Sequence, residues 1–266
     1  MILTNGNSLI AKALKRGRSA LNSHGYDIHP IDSRCWDDQR ALLGDRERSV
    51  ILDVGANCGQ AACQYRNLFP SSRIWCFEPQ AELCRAMENR FRDDPRISVV
   101  PCAVGATEGT ADLYVNAKRA TSSLLASNSN HLSPSYLTLM RNEEIRPVKV
   151  ITLDSFVSSK SLAHIDLLKL DIQGGECEAL IGARKLLSES RIDLIYSEVS
   201  FVPLYSDQPL FGDLAGYLAK WDYKLHLIFN QFVNGITGRP LQADALFVSP
   251  QLHESSRKRL STTWIK

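Results

Sequence analysis

From Val50 onward, apolar and polar positions fall into a repeated two-part pattern. VILDV (50–54) is an apolar run broken only by an acid, the mark of a strand covered on both faces. Gly59 to Phe69 shifts to helical spacing and stops at Pro70. RIWCFEP (73–79) reads as a second strand, AELCRAMENRF (81–91) as a helix ended by Asp93, Asp94 and Pro95, and ISVVPCAVG (97–105) as a third strand. Strand, helix, strand, helix, strand implies a parallel sheet with helices on its faces.

The alternation then breaks. GTADLYVN (109–116) predicts an extra strand after a turn at Gly109. Residues 118–147 are polar and rich in Ser and Asn, with a weak helical patch from Tyr136 to Met140. An insertion of that length between elements reads as a lid. VKVITLDSFV (148–157) returns to strand and turns into a short helix. IDLLKLDIQGGE (165–176) is the strongest strand of the second half and ends in Asp171 before a glycine pair. A helix over CEALIGARKLL (177–187), a strand over RIDLIYSEVS (191–200) and a helix over FGDLAGYLAKWDY (211–223) follow. KLHLIFN (224–230) and ADALFVS (243–249) have turn residues and no helix between them, so they pair antiparallel. The expected organisation is a helical N-terminal extension (1–45), one α/β domain (46–250) and a C-terminal tail (251–266). Ser8 to Leu21 in the extension predicts a basic amphipathic helix, solvated and packed on the domain.

Composition narrows the function classes. Of 266 residues, 44% are apolar and 23% charged, ordinary for a globular protein. A net charge of +2 gives no strongly basic stripe, so a nucleic-acid partner is not expected. No apolar run approaches the roughly 20 residues that span a bilayer, and the N-terminus lacks the apolar block of a secretory signal. Integral membrane contact is therefore not expected. The seven cysteines include no CxxC pair, and the six histidines no short-spaced ligand pair. Reduced thiols, packing as small hydrophobes in a cytoplasmic protein, are the expectation. A homo-oligomer stays compatible with the sequence.

The chemistry gathers at strand ends. Asp53, Gly55, Ala56, Asn57 and Gly59 form a loop with almost no side chains after the first strand, and Glu78 with Pro79 ends the second. In open parallel sheets ligands bind beyond the carboxyl ends of strands, and a carboxylate in the position of Glu78 can accept both hydroxyls of a ribose. A dinucleotide fold would need G-x-G-x-x-G for its pyrophosphate. Here the string is G-A-N-C-G-Q, with Asn57 and Gln60 in place of two glycines, and no G-K-[ST] of a P-loop occurs. A nucleoside ligand without phosphates fits better. A nicotinamide-dependent oxidoreductase and a non-catalytic nucleoside-binding module stay open as alternatives.

D-V-G-A-N-x-G at 53–59, F-E-P at 77–79, A-V-G at 103–105, S-S-L at 122–124, T-L-D at 152–154 and L-L-K-L-D-I-Q-G-G-E at 167–176 together resemble the FkbM-like methyltransferases, in order from about Val50 to Ser249. The resemblance implies a Rossmann-like class I methyltransferase: a mostly parallel seven-stranded sheet, a terminal antiparallel strand and helices on both faces. It implies S-adenosyl-L-methionine as cofactor, with the Asp53–Gly59 loop around its methionine part, Glu78 on the ribose and the strand end at Cys102 and Ala103 beside the adenine. The acceptor it implies is a hydroxyl of a sugar, glycan or secondary metabolite.

An alcohol acceptor must lose a proton as it takes the methyl group, so a base helps. Asp171 is the first candidate, with Glu198 at the end of the neighbouring strand; a cofactor contact is an equal reading of Asp171. Lys169 shares a face with Asp171 and orients it. Glu176 reads either as a substrate contact or as a helix-start charge. Ser122 and Ser123 face cofactor or acceptor, or only turn the chain. Tyr205, with Tyr136, Phe201 and Phe211, reads either as a stacking surface for a sugar ring or as core or lid packing, and His131 is singled out within the lid. Asp171 and Glu198 offer two acids, but Val199 and Ser200 follow where a third would stand, so no metal is expected. An N-methyltransferase would want an N-P-P-type tetrapeptide, and the residues after Glu198 are VSFV.

Overall fold

The computed structural model describes residues 34–44, 46, 48–128, 134–234 and 237–255, with side chains described for all but 34 and 134–136. The amphipathic stretch from Ser8 to Leu21, His131 and the side chain of Tyr136 lie outside them.

The main sheet has seven strands: β1 (Val50–Val54), β2 (Arg73–Phe77), β3 (Ile97–Val100), β7 (Ile165–Leu170), β8 (Ile192–Ser200), β9 (Lys224–Val233) and β10 (Pro240–Val248). Their spatial order is β3-β2-β1-β7-β8-β10-β9. Every pair is parallel until β10, which runs antiparallel to both β8 and β9. This is the mostly parallel, seven-stranded Rossmann-like sheet expected from the sequence, with an antiparallel strand near its end. From β1 the chain winds outward to β2 and β3, then crosses to β7 and β8. The order reverses between β1 and β7, and a ligand cleft is expected at their carboxyl ends.

Burial on both faces explains the apolar runs. Leu52 and Val54 pack into one cluster with Trp75, Phe77, Phe156 and Leu168. Ile51, one position out of phase, packs on the opposite face with Tyr65, Ile74, Met87 and Leu167. Helices α2 (Gln60–Leu68) and α3 (Ala81–Phe91) follow β1 and β2. Helix α1 (Arg34–Leu43) buries Cys35 and Leu43 in the second cluster and sets Trp36 edge-on to Tyr65, 5.1 Å between centroids. The packed unit therefore reaches back at least to Arg34, inside the stretch read as an extension. At the other end Leu252 is buried in the same cluster, beyond the expected domain limit.

Three elements differ from the sequence reading. The third strand is not continuous over 97–105: β3 stops at Val100, Pro101 offers no N–H for a ladder, and β4 (Ala103–Val104) joins a separate three-stranded sheet. That sheet has the order β4-β6-β5, with β5 (Gly109–Asn116) antiparallel to β6 (Asn142–Ile151). Strand β6 begins six residues before the expected Val148. Its first half, NEEIRP, is mostly exposed and carries no apolar alternation, so backbone pairing with β5 alone defines it. The insertion shrinks to a short 3₁₀ turn (Arg119–Thr121), a connecting stretch and α4 (Pro134–Leu139).

The helix expected over 177–187 is two: α6 (Glu176–Ile181) and α7 (Arg184–Ser188). They part at Gly182, where a Cβ would stand 2.1 Å from the carbonyl oxygen of Gly105. Ahead of them, α5 (Leu153–Ser159) supplies Asp154, whose carboxylate accepts from the N–H groups of Lys185 (2.9 Å) and Leu186 (3.0 Å) and so caps α7. Helix α8 (Phe211–Ala219) covers β8. Gly182→Ala is expected to cost about 1–3 kcal/mol through this backbone clash. Urea denaturation checks it, and an unchanged midpoint would show that Gly182 is not a packing constraint.

Candidate functional site

A cleft of about 250 Å³ lies beyond the ends of β1, β2 and β7. Its floor is two loops in contact. The N–H groups of Gly55 and Ala56 both donate to the carbonyl of Phe77 at 3.0 Å, turning the chain sharply after β1. Gly55 has φ 80°, and a Cβ there would stand 1.9 Å from the carbonyl oxygen of Asp171. Glycine is needed because the loop after β7 rests against it.

Buried carboxylates brace both loops. Glu78 accepts the N–H of Asn57 on one oxygen and that of Gln80 on the other, each at 3.0 Å. Burial nevertheless holds its carboxyl above the usual range. Glu176 accepts from Ile172 N–H (2.9 Å) and Gly174 N–H (3.0 Å), and burial pushes it up to about 7. Glu176 is therefore a loop brace at the start of α6 and does not line the cleft.

Among the residues read from the sequence, Gly55, Asn57, Glu78, Pro79, Ala103, Ser122, Ser123, Asp171 and Glu198 line one cavity. Asp53, Ala56 and Gly59 do not. Asp53 is fully buried beneath the loop, with Lys169 Nζ 3.1 Å from its Oδ1. That contact is an ion pair between a buried ammonium and a buried carboxylate. Burial raises the Asp53 carboxyl and the neighbouring ammonium opposes the rise. Lys169 also lies 3.4 Å from Asp171 Oδ2; the two acids hold it protonated against its burial. Gly59 is the N-cap of α2 with φ 80°, and a Cβ there would meet the ring of Phe91 at 2.6 Å.

Residues 118–124 wall the cleft opposite the loops. Both serines are committed to the backbone. Ser122 Oγ accepts from Asn116 N–H at 3.1 Å, and Ser123 Oγ donates to the carbonyl of Gln173 at 2.7 Å. Tyr205 cannot stack on an acceptor: it is 1% exposed, with its hydroxyl 2.8 Å from the carbonyl of Thr121 and 2.9 Å from Gln173 Oε1. Phe201 and Phe211 pack on each other at 5.5 Å, away from the cleft lining.

Two glutamines escape the sequence reading. Gln173 Nε2 donates to Asp171 Oδ1 (3.0 Å) and Glu198 Oε2 (2.9 Å), joining the two candidate acids. Burial and then the charge of Asp171 drive Glu198 well above its ordinary range. Gln80, which lines the cleft beside Glu78, donates from Nε2 to the carbonyl of Arg119 at 3.2 Å, while its Oε1 is sealed from solvent and has no partner. The D-I-Q-G-G-E string hints at Gln173, since a Gly-Gly pair marks an unusual backbone; Gln173 (φ 58°) and Gly174 (φ 102°) are both left-handed. No local signal points to Gln80.

A second acidic group, His164 with Asp166 and Asp193, gathers at the amino ends of β7 and β8. The Arg46 guanidinium bridges both carboxylates there, so a cation already holds that place.

The cleft presents Glu78, Asp171 and Glu198. Such a set of acids suits a ligand with hydroxyls and positive charge, and repels a pyrophosphate. The family described as the methyltransferase FkbM domain matches residues 53–225. The chain belongs to the FkbM methyltransferase family. It is 27% identical over 206 residues to the 2-O-methyltransferase NoeI of Sinorhizobium fredii, covering 75% of this chain and 81% of that protein. It is 27% identical over 150 residues to the hexuronic acid methyltransferase AglP of Haloferax volcanii, covering 56% of each. Among solved structures, Aeropyrum pernix fibrillarin with bound S-adenosyl-L-methionine aligns with a TM-score of 0.43 at 13% identity, over 80% of this chain and 74% of that one.

S-adenosylmethionine is accordingly the cofactor of this FkbM methyltransferase, and the acid-lined cleft fits its hydroxyls and positive charges. Among the described residues, no helix is long and apolar enough to cross a membrane.

Glu176 gives the site a pH signature. Its folded value of about 7 lies above its ordinary 4.5, so between those pH values the folded chain holds the extra proton and stability falls as pH rises. Glu176→Gln is expected to flatten that fall in thermal melts taken from about pH 4.5 to 7. An unchanged slope would place the proton elsewhere.

Proposed function

We propose that this chain is an O-methyltransferase acting on a hydroxyl of a sugar or glycan, with Asp171 as general base. The observation that carries the reading is the juxtaposition of Asp171 and Glu198 in the cleft through Gln173, over loops shaped for a nucleoside. NoeI, a 2-O-methyltransferase, supports transfer to oxygen, and AglP, a hexuronic acid methyltransferase, supports a sugar acceptor. The net charge of +2 and the acids of the cleft disfavour a nucleic-acid partner.

Glu78 would accept from the ribose hydroxyls of S-adenosylmethionine. Ala103 and Cys102 would flank the base, and Gly55 and Asn57 would border the amino-acid end. The bound cofactor would supply a methyl group carried on a positively charged sulfur, with the electron pair of the broken carbon–sulfur bond left on sulfur. Asp171 takes the proton from the attacking hydroxyl, and Lys169 behind it holds the carboxylate in place. Holding the acceptor in line is the larger contribution, on the order of 7–11 kcal/mol. Gln173 Nε2 stands between the two acids, so the pair is bridged by an amide and needs no metal.

Transfer from tritiated S-adenosylmethionine to a panel of simple glycosides, neutral hexosides and hexuronates, tests the reading. Asp171→Asn is expected to lose about 10²-fold or more in kcat while affinity for S-adenosylhomocysteine stays within a few-fold. Transfer by the wild-type chain is expected to persist in EDTA. Full activity of Asp171→Asn would remove the base from this position. Loss in EDTA, restored by magnesium, would overturn the metal-free reading.

A further inference from the structure

Gln173 occupies a demanding backbone position. It lies in the left-handed region at φ 58° and is followed by Gly174 at φ 102°. A longer-than-needed polar side chain held there against local preference calls for a reason. Its contacts supply one. The two hydrogens of the amide nitrogen are divided between two carboxylates, Asp171 at 3.0 Å and Glu198 at 2.9 Å. The amide oxygen faces the Tyr205 hydroxyl at 2.9 Å. The backbone carbonyl of the same residue accepts from Ser123 Oγ at 2.7 Å. Gln173 thus touches the loop after β7, the end of β8, the buried Tyr205 and the 118–124 wall.

We propose that Gln173 is the positioning residue of the methyl-transfer centre: its amide holds Asp171 and Glu198 on one donor and Tyr205 fixes which end of the amide faces them. The assignment rests on the reading of Asp171 as base. An amide can turn end for end, and turned it would set an oxygen against two acids. The Tyr205 hydroxyl prevents this by donating to Oε1. Tyr205 is 1% exposed, so its ring cannot swing away without opening the packing around Met140 and Leu204. The 118–124 wall feeds into the same lock, because the carbonyl of Thr121 lies 2.8 Å from that hydroxyl and competes for its single proton.

The charged neighbours set the direction of the test. Glu198 faces Asp171, Glu176 at the start of α6 and Asp244 on β10, all acids. Among the described residues, the ammonium beside Asp171 is that of Lys169 on β7, 3.4 Å away. Donation from Gln173 favours the ionised carboxylate of Glu198; without it, like-charge repulsion raises the pH at which Glu198 takes up a proton.

The experiment follows the carboxyl carbons of ¹³C-labelled full-length protein by NMR across pH, with S-adenosylhomocysteine bound. Gln173→Leu keeps the volume and removes both donors. Its Glu198 resonance is expected to titrate at least about one pH unit higher than in the wild type. Affinity for S-adenosylhomocysteine by calorimetry should stay within about three-fold. Tyr205→Phe, which keeps the ring and frees the amide to turn, should move the titration the same way by less. Titration at the wild-type pH in both variants would overturn the proposal. So would a ten-fold loss of cofactor affinity with unmoved titration, which would make Gln173 a cofactor contact. If Gln173→Leu does not fold, Tyr205→Phe decides alone: an upward move supports the lock and no move rejects it. Because this readout needs no acceptor, it is separate from the Asp171→Asn assay. An active Asp171→Asn with a moved titration would sink the base and keep the clamp.

Discussion

One buried ammonium stands where the sheet reverses its order. Asp53 on β1 and Lys169 on β7 are register partners across the two central strands, and Lys169 reaches on to Asp171 at the cleft. Asp53 is sealed from solvent with no hydrogen bond to either oxygen. A buried carboxylate so placed is tolerable only with an opposite charge beside it, and removing one partner of such a pair typically costs 3–5 kcal/mol. The same lysine therefore holds the two strands' chemistry together and orients the acid proposed to act on the acceptor. It also explains why a strand end carries an acid that never touches the ligand.

The remaining acids are carried by backbone. Glu78 gathers the amides of Asn57 and Gln80, and Glu176 those of Ile172 and Gly174. Each brace fixes one loop, and Gly55 lets the loops touch. What is left facing the cleft is acceptor-rich: Glu78, Asp171 and Glu198. Hydroxyls and a positively charged sulfur complement that surface. A pyrophosphate does not, which accounts for Asn57 and Gln60 standing where a dinucleotide fold needs glycines.

Much of this was legible in the sequence wherever the signal is local. The bounds of β1, β5 and α3 agree with the pattern because burial and turn residues mark both ends. The small second sheet was not legible, because β4 has two residues and its partner β6 opens with a polar, exposed half that carries no periodicity. In the site, the motif found the loops but not which residues face the cleft. Asp53 and Gly59 lie beneath it for reasons set by Lys169 and Phe91, which are distant in sequence. Tyr205 read as an exposed aromatic; its burial depends on Thr121, 84 positions away. Gln80 and Gln173 became visible only when the 118–124 wall closed on them.

The most direct test of the account is a crystal structure of the chain with S-adenosylhomocysteine bound. The account predicts the ribose hydroxyls on Glu78, the base beside Cys102 and Ala103, and the sulfur turned toward Asp171 with Lys169 still between Asp53 and Asp171. A nucleoside seated elsewhere, or a sulfur directed away from Asp171 and Glu198, would contradict it.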